Sequence, residues 1–346
     1  MKTLLMGSAT ACVVLLAAQA VAGLQVGEIH WARHLSSIVT PSHNIALSGW
    51  EAYKHRTTQP SADQHLDDPI LKGAIDIHAH FGPDTYPRQW DLFEIARLAQ
   101  QRGMRGIVFK NHWSESAGLA YLVRKYATPG LEVFGSLSLN TPEGGINPEA
   151  VRYFAEVEGG YGKVVWMPTH DSEHEVRTRG EARPYVQVSR DGTLLPEVYE
   201  VLDLIAQYDL TLATGHVTDA EMLMIVREAR RRGVKRIIIT HPNLGPMYTD
   251  PTNDQLRQAA DLGGFIEIVG GRLRRETSRE AALATIRAVG VEHCIISTDS
   301  GLVGTANSPD ALVLAARELR KAGFSEHDLE TMFKRNPAMV LGLPAE

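Results

Sequence analysis

The strongest constraint on the fold is an alternation of two kinds of segment from residue 74 onward. Short runs rich in apolar and β-branched residues alternate with longer stretches of helical periodicity. Such alternation predicts βα units and a parallel sheet. Eight units over roughly 250 residues predict a (β/α)₈ TIM barrel in a single domain. A doubly wound open sheet is the alternative, but it rarely needs eight units, and no G-x-G-x-x-G motif follows the first strand.

The segment AIDIHAHFGPD (74–84) sets two histidines one residue apart at the end of the first strand. Strict alternation places Asp76, His78 and His80 on one face of this strand and the apolar residues between them on the other. Two imidazoles so spaced can reach one cation together, and imidazole is the commonest ligand for zinc-like metals. An H-x-H pair is weak on its own, because a half-exposed strand also carries such pairs.

Six of the eight predicted strands end in basic or metal-competent side chains. In a parallel barrel the carboxyl ends of all strands meet at one mouth, where the active site lies. Histidines scattered for structural reasons would not favour this end of so many strands, so the pattern indicates a metal site. The side chains are His78 and His80 on strand one, Lys110 and His112 on strand two, His170 on strand four, His216 on strand five, His241 on strand six and Asp299 on strand eight.

The first 22 residues have the pattern of a secretory signal peptide. Lys2 is followed by an apolar stretch and by small residues at alternate positions (Ala18, Ala20 and Ala22), where a signal peptidase would cleave. The strongly apolar part is shorter than the about 20 residues that a membrane anchor needs. We therefore expect export to the periplasm or the extracellular space, without membrane attachment after cleavage. Residues 23–72 show no sustained period and are predicted to be an N-terminal extension of a barrel domain formed by 73–346.

The balance of charge narrows the class of partner. With 35 Lys and Arg against 41 Asp and Glu, the formal net charge is −6, which argues against nucleic acid or an anionic membrane as the main partner. A small-molecule substrate is expected, and formation of a homo-oligomer stays open. After signal cleavage Cys294 is the only cysteine, so no internal disulfide is predicted.

The order of the strand-end residues resembles a known pattern. H-x-H, His, His and Asp on strands one, five, six and eight are similar to the metal-binding set of the amidohydrolase superfamily of metal-dependent hydrolases. The segment KRNPAMVLGLP (334–344) resembles the closing helix of that superfamily. FKNHWSESAGLAYLVRKY (109–126) and VVWMPTHD (164–171) resemble an amidohydrolase-related family of unassigned activity. The resemblance runs from residue 74 to the end and implies a metal-dependent hydrolase barrel.

The resemblance also implies how the ligands divide between ions. His78 and His80 would hold a first, more buried divalent metal ion together with Asp299. His216 and His241 would hold a second ion, or orient the substrate if only one ion is bound.

The bridge between two ions departs from the familiar pattern. Familiar binuclear members use a carboxylated lysine at the end of strand four, but here Lys163 stands at the beginning of that strand. Lys110 ends strand two, a position from which other members supply a bridging side chain. A carboxylated Lys110 is one reading, and a salt bridge from Lys110 to a substrate carboxylate is the other.

The expected reaction is hydrolysis of a C–N or C–O bond in an amide, lactone or ester of a small carbonyl compound. A divalent metal lowers the pKa of water towards 7 and polarises the carbonyl group. Asp299 would act as general base and pass the proton to the leaving group, with His241 as a second catalytic residue. The nitrogen-rich ligand set favours zinc. His112 and His170 are expected to support the ligands or to face the substrate.

Other functions are compatible with the same residues. A decarboxylase or another lyase would use the same barrel and metal. An exported protein that binds a ligand without turnover, or a metal-free aldolase with Lys110 as Schiff base, would also fit.

One connection is unusually long. Residues 168–196 join the fourth strand to its helix, and VQVSRDGTLL within them predicts a hairpin around Asp191 and Gly192. Loops of this length are usually lids or specificity elements. His174 in this loop, and Arg272 elsewhere, could meet the substrate.

Overall fold

The computed structural model describes residues 66–245 and 247–344. The signal peptide predicted at 1–22 lies outside the described residues, as does the N-terminal extension up to residue 65, so both stay predictions. Over the described part of the chain, no helix is long and apolar enough to span a membrane.

Eight parallel strands form one sheet, as predicted. The structure describes ten strands in all, which in chain order are β1 (Ile75–His80), β2 (Gly106–Lys110), β3 (Glu132–Ser138), β4 (Gly162–Trp166), β5 (Ser189–Arg190), β6 (Thr193–Leu194), β7 (Thr211–Ala213), β8 (Arg236–Ile239), β9 (Gly264–Val269) and β10 (Cys294–Ser297). The sheet order is β1-β2-β3-β4-β7-β8-β9-β10, while β5 and β6 form a separate antiparallel pair. A bridge from Ala79 to Ser300 brings β10 back to β1, and the amide of His80 donates to the carbonyl oxygen of Ser300 at 2.9 Å. The predicted (β/α)₈ barrel is confirmed.

Helices follow the strands around the barrel. They are α1 (Leu92–Gln101), α2 (Ala117–Tyr126), α3 (Pro148–Glu156), α4 (Glu173–Thr178), α5 (Pro196–Gln207), α6 (Asp219–Arg231), α7 (Asn253–Asp261), α8 (Gly270–Arg274), α9 (Glu276–Val289), α10 (Ser308–Lys321), α11 (Glu326–Glu330) and α12 (Asn336–Val340). Thr218 and Glu221 cap the start of α6 reciprocally, each side chain bonding the other's backbone amide. This cap lies two residues after His216 and fixes the end of the loop that carries it.

The inside of the barrel is apolar below the mouth. Each fully buried Val, Leu, Ile, Phe or Met side chain stabilises a fold by about 1.5–3 kcal/mol. The inner cluster includes Ile75, Ile77, Val108, Val164, Trp166, Ala213, Ile238 and Ile295, together with Ala338 and Val340 of α12. The hydroxyl of Thr211, at the start of β7, donates to the carbonyl oxygen of Val340 at 2.6 Å. Helix α12 therefore closes the end of the barrel opposite the mouth.

The first strand departs from the predicted alternation. Its pairing with β2 shifts register between Asp76 and Ala79. The Asp76 carboxylate accepts hydrogen bonds from the hydroxyls of Thr298 and Ser308, at 2.5 Å each, and Ser308 begins α10. The prediction that Asp76 shares a face with His78 is wrong, because the irregularity in the strand turns the two side chains to different sides.

The long connection after β4 contains the predicted hairpin. Strands β5 and β6 pair antiparallel, with Ser189 opposite Leu194. Asp191 and Gly192 have positive φ values of 51° and 73°, which the two central residues of a tight hairpin turn require. The same connection also contains α4, which the site below depends on.

Candidate metal centre

Three predicted ligands converge where β10 returns to β1. Nε2 of His78 lies 3.2 Å from Oδ1 of Asp299, and Nε2 of His80 lies 3.1 Å from the same oxygen. Both imidazoles are buried, whereas the side chain of Asp299 is 26% exposed at the mouth. Asp299 has a φ of 48°, in the left-handed region that non-glycine residues rarely occupy. Such strain is characteristic of functional positions.

The spacing and the protonation of these groups fit a metal ion. Two ligand atoms at about 2.1 Å from a tetrahedral zinc ion are about 3.4 Å apart, close to the two separations in this group. Burial lowers the pKa of His80 well below its usual value, so its imidazole is neutral. Burial alone would raise the pKa of Asp299, but the neighbouring His78 and His80 bring it well below its usual value. Neutral imidazole and ionised carboxylate are the forms that bind metal.

Lys110 lies next to this group, as predicted. Its Nζ is 3.0 Å from Nε2 of His78 and 5.0 Å from the centroid of the Trp166 ring. Burial lowers the pKa of Lys110 to about 8, so about a tenth of the amine is neutral at pH 7. Carboxylation of this amine stays a prediction.

The other two predicted ligands also meet at the mouth. Nε2 of His216 lies 3.3 Å from Nε2 of His241, and the ring of His241 stacks on His78 with centroids 5.5 Å apart. Burial lowers the pKa of His216 to about 3 and that of His241 to about 4. Nδ1 of His241 is buried without a hydrogen-bond partner. Neutral imidazoles with facing nitrogens at this distance fit a second ion.

Glu267 on β9 belongs to the site, although the sequence analysis did not select it. Its Oε1 accepts from Nδ1 of His78 at 2.7 Å and from the hydroxyl of Ser297 at 2.7 Å. Its Oε2 accepts from the amide of His241 at 3.0 Å. Burial would raise the pKa of Glu267, but His78 brings it down to about 2. The available signal was a lone acidic residue in the apolar strand GFIEIVG.

Glu175 on α4 is the second residue that the sequence analysis missed. Its Oε2 lies 2.5 Å from Nδ1 of His216, and its Oε1 lies 2.9 Å from Nδ1 of His170. Arg179 contacts Oε1 at 2.7 Å. In the sequence, Glu175 lies three residues after Ser172, which suggests only a helix cap. The approach of α4 to the mouth depends on how the long connection folds, which periodicity does not reveal.

His112 and His170 border the two groups rather than joining them. Their ring centroids are 4.1 Å apart, and the ring of His112 lies 4.7 Å from that of His80. Nδ1 of His112 is 3.0 Å from the hydroxyl of Thr169. The side chain of His170 is 23% exposed. The imidazole of His170 is thus partly exposed at the mouth, whereas that of His112 is buried behind it.

His174 and Arg272, which the sequence placed in loops, lie in the short helices α4 and α8 and contact backbone groups near the mouth. Nε2 of His174 is 3.2 Å from the carbonyl oxygen of Tyr248, and Arg272 donates from Nη1 to the carbonyl oxygen of Pro242 at 2.9 Å. Tyr248 itself stands edge-on to His216 and His241, with centroids 4.7 and 5.0 Å away. His174 therefore supports a ring that covers the second pair of imidazoles.

Residues 73–267, more than half of the chain, match a family described as a family of unknown function, DUF6282. The chain belongs to the DUF6282 family. This confirms the expectation of a family without an assigned activity. A comparison of the DUF6282 chain with curated proteins finds no significant match.

Solved structures similar to the DUF6282 chain include two proteins named amidohydrolases and one named organophosphorus hydrolase. An amidohydrolase from Pseudomonas aeruginosa is 14% identical, with a TM-score of 0.53 over 79% of this chain and 98% of that chain. An amidohydrolase from Burkholderia multivorans with bound Zn is 14% identical, with a TM-score of 0.53 over 78% and 99%. Organophosphorus hydrolase from Deinococcus radiodurans is 15% identical, with a TM-score of 0.50 over 82% and 98%. At the level of fold, these similarities confirm the predicted resemblance to the amidohydrolase superfamily.

Proposed function

We propose that this protein is a metal-dependent hydrolase that cleaves a C–N or C–O bond, in an amide, lactone or ester of a small carbonyl compound. The observation that carries the proposal is the position of Asp299. Its Oδ1 lies 3.2 Å from Nε2 of His78 and 3.1 Å from Nε2 of His80. The barrels of the solved amidohydrolases support the same reading.

The donor set indicates which residues would hold metal. His78, His80 and Asp299 would hold one ion, and His216 with His241 would hold a second. Zinc suits this nitrogen-rich set, and zinc is bound in the amidohydrolase from Burkholderia multivorans. A divalent ion supplies Lewis acidity, which lowers the pKa of water and polarises a carbonyl oxygen.

Asp299 would perform the proton transfers. Its carboxylate, ionised through the influence of His78 and His80, would accept the proton of the attacking water as the C–O bond forms. The same carboxyl group would then protonate the nitrogen or oxygen of the leaving group as the scissile bond breaks. Its partial exposure gives the substrate access to it.

The remaining mouth residues would position the substrate. His241 would orient the carbonyl compound if one ion is bound, and His112 and His170 would face it from the side of β2 and β4. The ring of Trp113 stacks on His170 at 5.9 Å, and Tyr86 lies 6.0 Å from the same imidazole. These rings would form one wall of the substrate site.

Metal analysis of the purified protein tests the proposal when combined with a panel of amides, lactones, esters and carboxylated aromatic acids. We expect bound zinc and hydrolysis of at least one amide, lactone or ester, with activity lost on chelation and restored by zinc. Release of carbon dioxide from the acids, without hydrolysis of the others, would instead establish a decarboxylase. Folded protein that binds no divalent metal would refute the proposal.

The N-terminal segment supports an exported site of action. Expression of the full chain in a bacterium, followed by mass determination of the periplasmic protein, is expected to show loss of about 22 residues. Retention of the intact chain in the cytoplasm would contradict export. Homo-oligomer formation is a separate question, which size-exclusion chromatography with light scattering answers directly.

A further inference from the structure

The carboxylate of Glu175 has two possible roles beside the second pair of imidazoles. His170, Glu175 and His216 place ligand-competent atoms within 4.8 Å of one another, which would suit a further metal ion. The contacts of Glu175 decide between a ligand and a support for other ligands.

Both oxygens of Glu175 are already engaged. Oε2 accepts from Nδ1 of His216, and Oε1 accepts from Nδ1 of His170 and from the guanidinium of Arg179 at 2.7 Å. A cation placed at Oε1 would meet the positive charge of Arg179. The hydrogen bonds of Glu175 therefore favour a supporting role for this carboxylate over direct binding of a metal ion.

These contacts determine which nitrogen each imidazole offers to the mouth. A carboxylate only accepts hydrogen bonds, so Nδ1 of both His216 and His170 carries the proton. In the neutral imidazole the lone pair then lies on Nε2. For His216, this is the nitrogen that faces Nε2 of His241 at 3.3 Å.

The long connection after β4 is attached to the same loop at a second point. The hydroxyl of Ser172, the N-cap of α4, donates to the carbonyl oxygen of His216 at 2.6 Å and accepts from the amide of Glu175 at 3.1 Å. Ser172 thus holds the backbone of His216 and Glu175 holds its ring, and both residues lie at the start of α4.

We propose that Glu175 is a positioning residue that fixes the tautomer and orientation of His216 and His170, so that the long connection completes the second metal site. The inference rests on the proposed metal dependence. The carboxylate–imidazole–metal arrangement is a general means of orienting a ligand, and loss of such a carboxylate typically costs about 10–100-fold in metal affinity.

The test compares Glu175→Gln with Glu173→Gln, a variant on the same helix whose carboxylate bonds Arg177 and Gln187. Zinc titration of the metal-free chain by calorimetry is expected to show two sites for the wild type and for Glu173→Gln. In Glu175→Gln one of the two sites should lose about 10–100-fold in affinity while the other site is unchanged. Equal affinities in Glu175→Gln and the wild type would overturn the proposal.

A third variant separates a positioning carboxylate from a metal-binding triad. His170→Ala removes one member of the triad but leaves the contact between Glu175 and His216. We expect it to bind both ions, and loss of an ion would show that the triad is itself a metal site. This comparison also decides the question if Glu175→Gln does not fold.

A readout without metal distinguishes failure of this inference from failure of the proposed function. In the metal-free chain labelled with ¹⁵N-histidine, NMR correlation spectra should show His216 protonated at Nδ1, and this signature should be lost in Glu175→Ala, whose side chain offers no acceptor. Protonation at Nε2 in the wild type would refute the role of Glu175 even if metal binds. The Nδ1 signature without any metal binding would refute the metal dependence but leave the tautomer assignment intact.

Discussion

Glu267 accepts a hydrogen bond from Nδ1 of His78 at 2.7 Å, and both side chains are fully buried. Its second oxygen accepts from the amide of His241. The carboxylate of Glu267 thus holds the ring of His78 and the backbone of His241. Because His78 donates from Nδ1, the neutral form of this imidazole has its lone pair on Nε2, which faces Asp299 and Lys110.

Replacing Glu267 by Gln is expected to weaken the metal site formed by His78, His80 and Asp299. The amide would still accept from one neighbour, but its NH₂ group would oppose the others, so His78 would no longer be held in one tautomer. We expect a loss of about 10–100-fold in zinc affinity, measured by competition with a chromophoric chelator. Glu280→Gln, at an exposed position of α9, should bind zinc as the wild type does. Wild-type affinity in Glu267→Gln would contradict this role.

The barrel and the polar residues at the strand ends could be predicted from the sequence because both follow from local pattern. The alternation of apolar runs and amphipathic stretches requires no knowledge of distant contacts, and the position of His216 or Asp299 after a strand is read directly. A parallel barrel then brings all strand ends to one mouth, so convergence follows from topology.

Glu175 and the first strand show what the pattern could not supply. Glu175 reaches His216 across 41 residues of sequence, through a connection whose path depends on tertiary contacts. The prediction that Asp76 shares a strand face with His78 was wrong because alternation assumes a regular strand, whereas β1 shifts register against β2. Such an irregularity is set by the neighbouring strand and by hydrogen bonds to Thr298 and Ser308.

Cys294 is expected to resist alkylation in the native protein. It begins β10, is fully buried, and burial raises the pKa of its thiol, so little of the reactive thiolate forms. Reaction with iodoacetamide at pH 8 should be at least about 100-fold slower in buffer than in concentrated urea. Mass spectrometry of the peptide that contains Cys294 measures this directly. Equal rates in both conditions would show that β10 is not packed as described.

Replacing Asp299 by Asn tests the proton transfer. The amide keeps the size of the side chain but cannot accept and return the proton, so turnover should fall by about 10²–10⁴-fold. Measured in excess zinc, the zinc content should remain largely unchanged, because the amide oxygen of Asn can still bind the ion and four imidazoles still converge. Asp261→Asn, at an exposed position of α7, should keep full activity. If Asp299→Asn retained turnover, another group would have to be the base.

The amine of Lys110 is expected to carry a carboxyl group when metal is bound. Only a neutral amine attacks carbon dioxide, and burial lowers the pKa of Lys110 to about 8. The reaction forms an N–C bond, releases one proton and converts a base beside His78 into an anion that can bridge two ions. Protein reconstituted with zinc in ¹³C-bicarbonate should show a carbamate resonance in the native state. The resonance should disappear in Lys110→Arg but persist in Lys163→Arg, whose lysine stands at the other end of a strand. Two bound zinc ions without a carbamate would contradict the bridge and leave Lys110 as a contact for substrate.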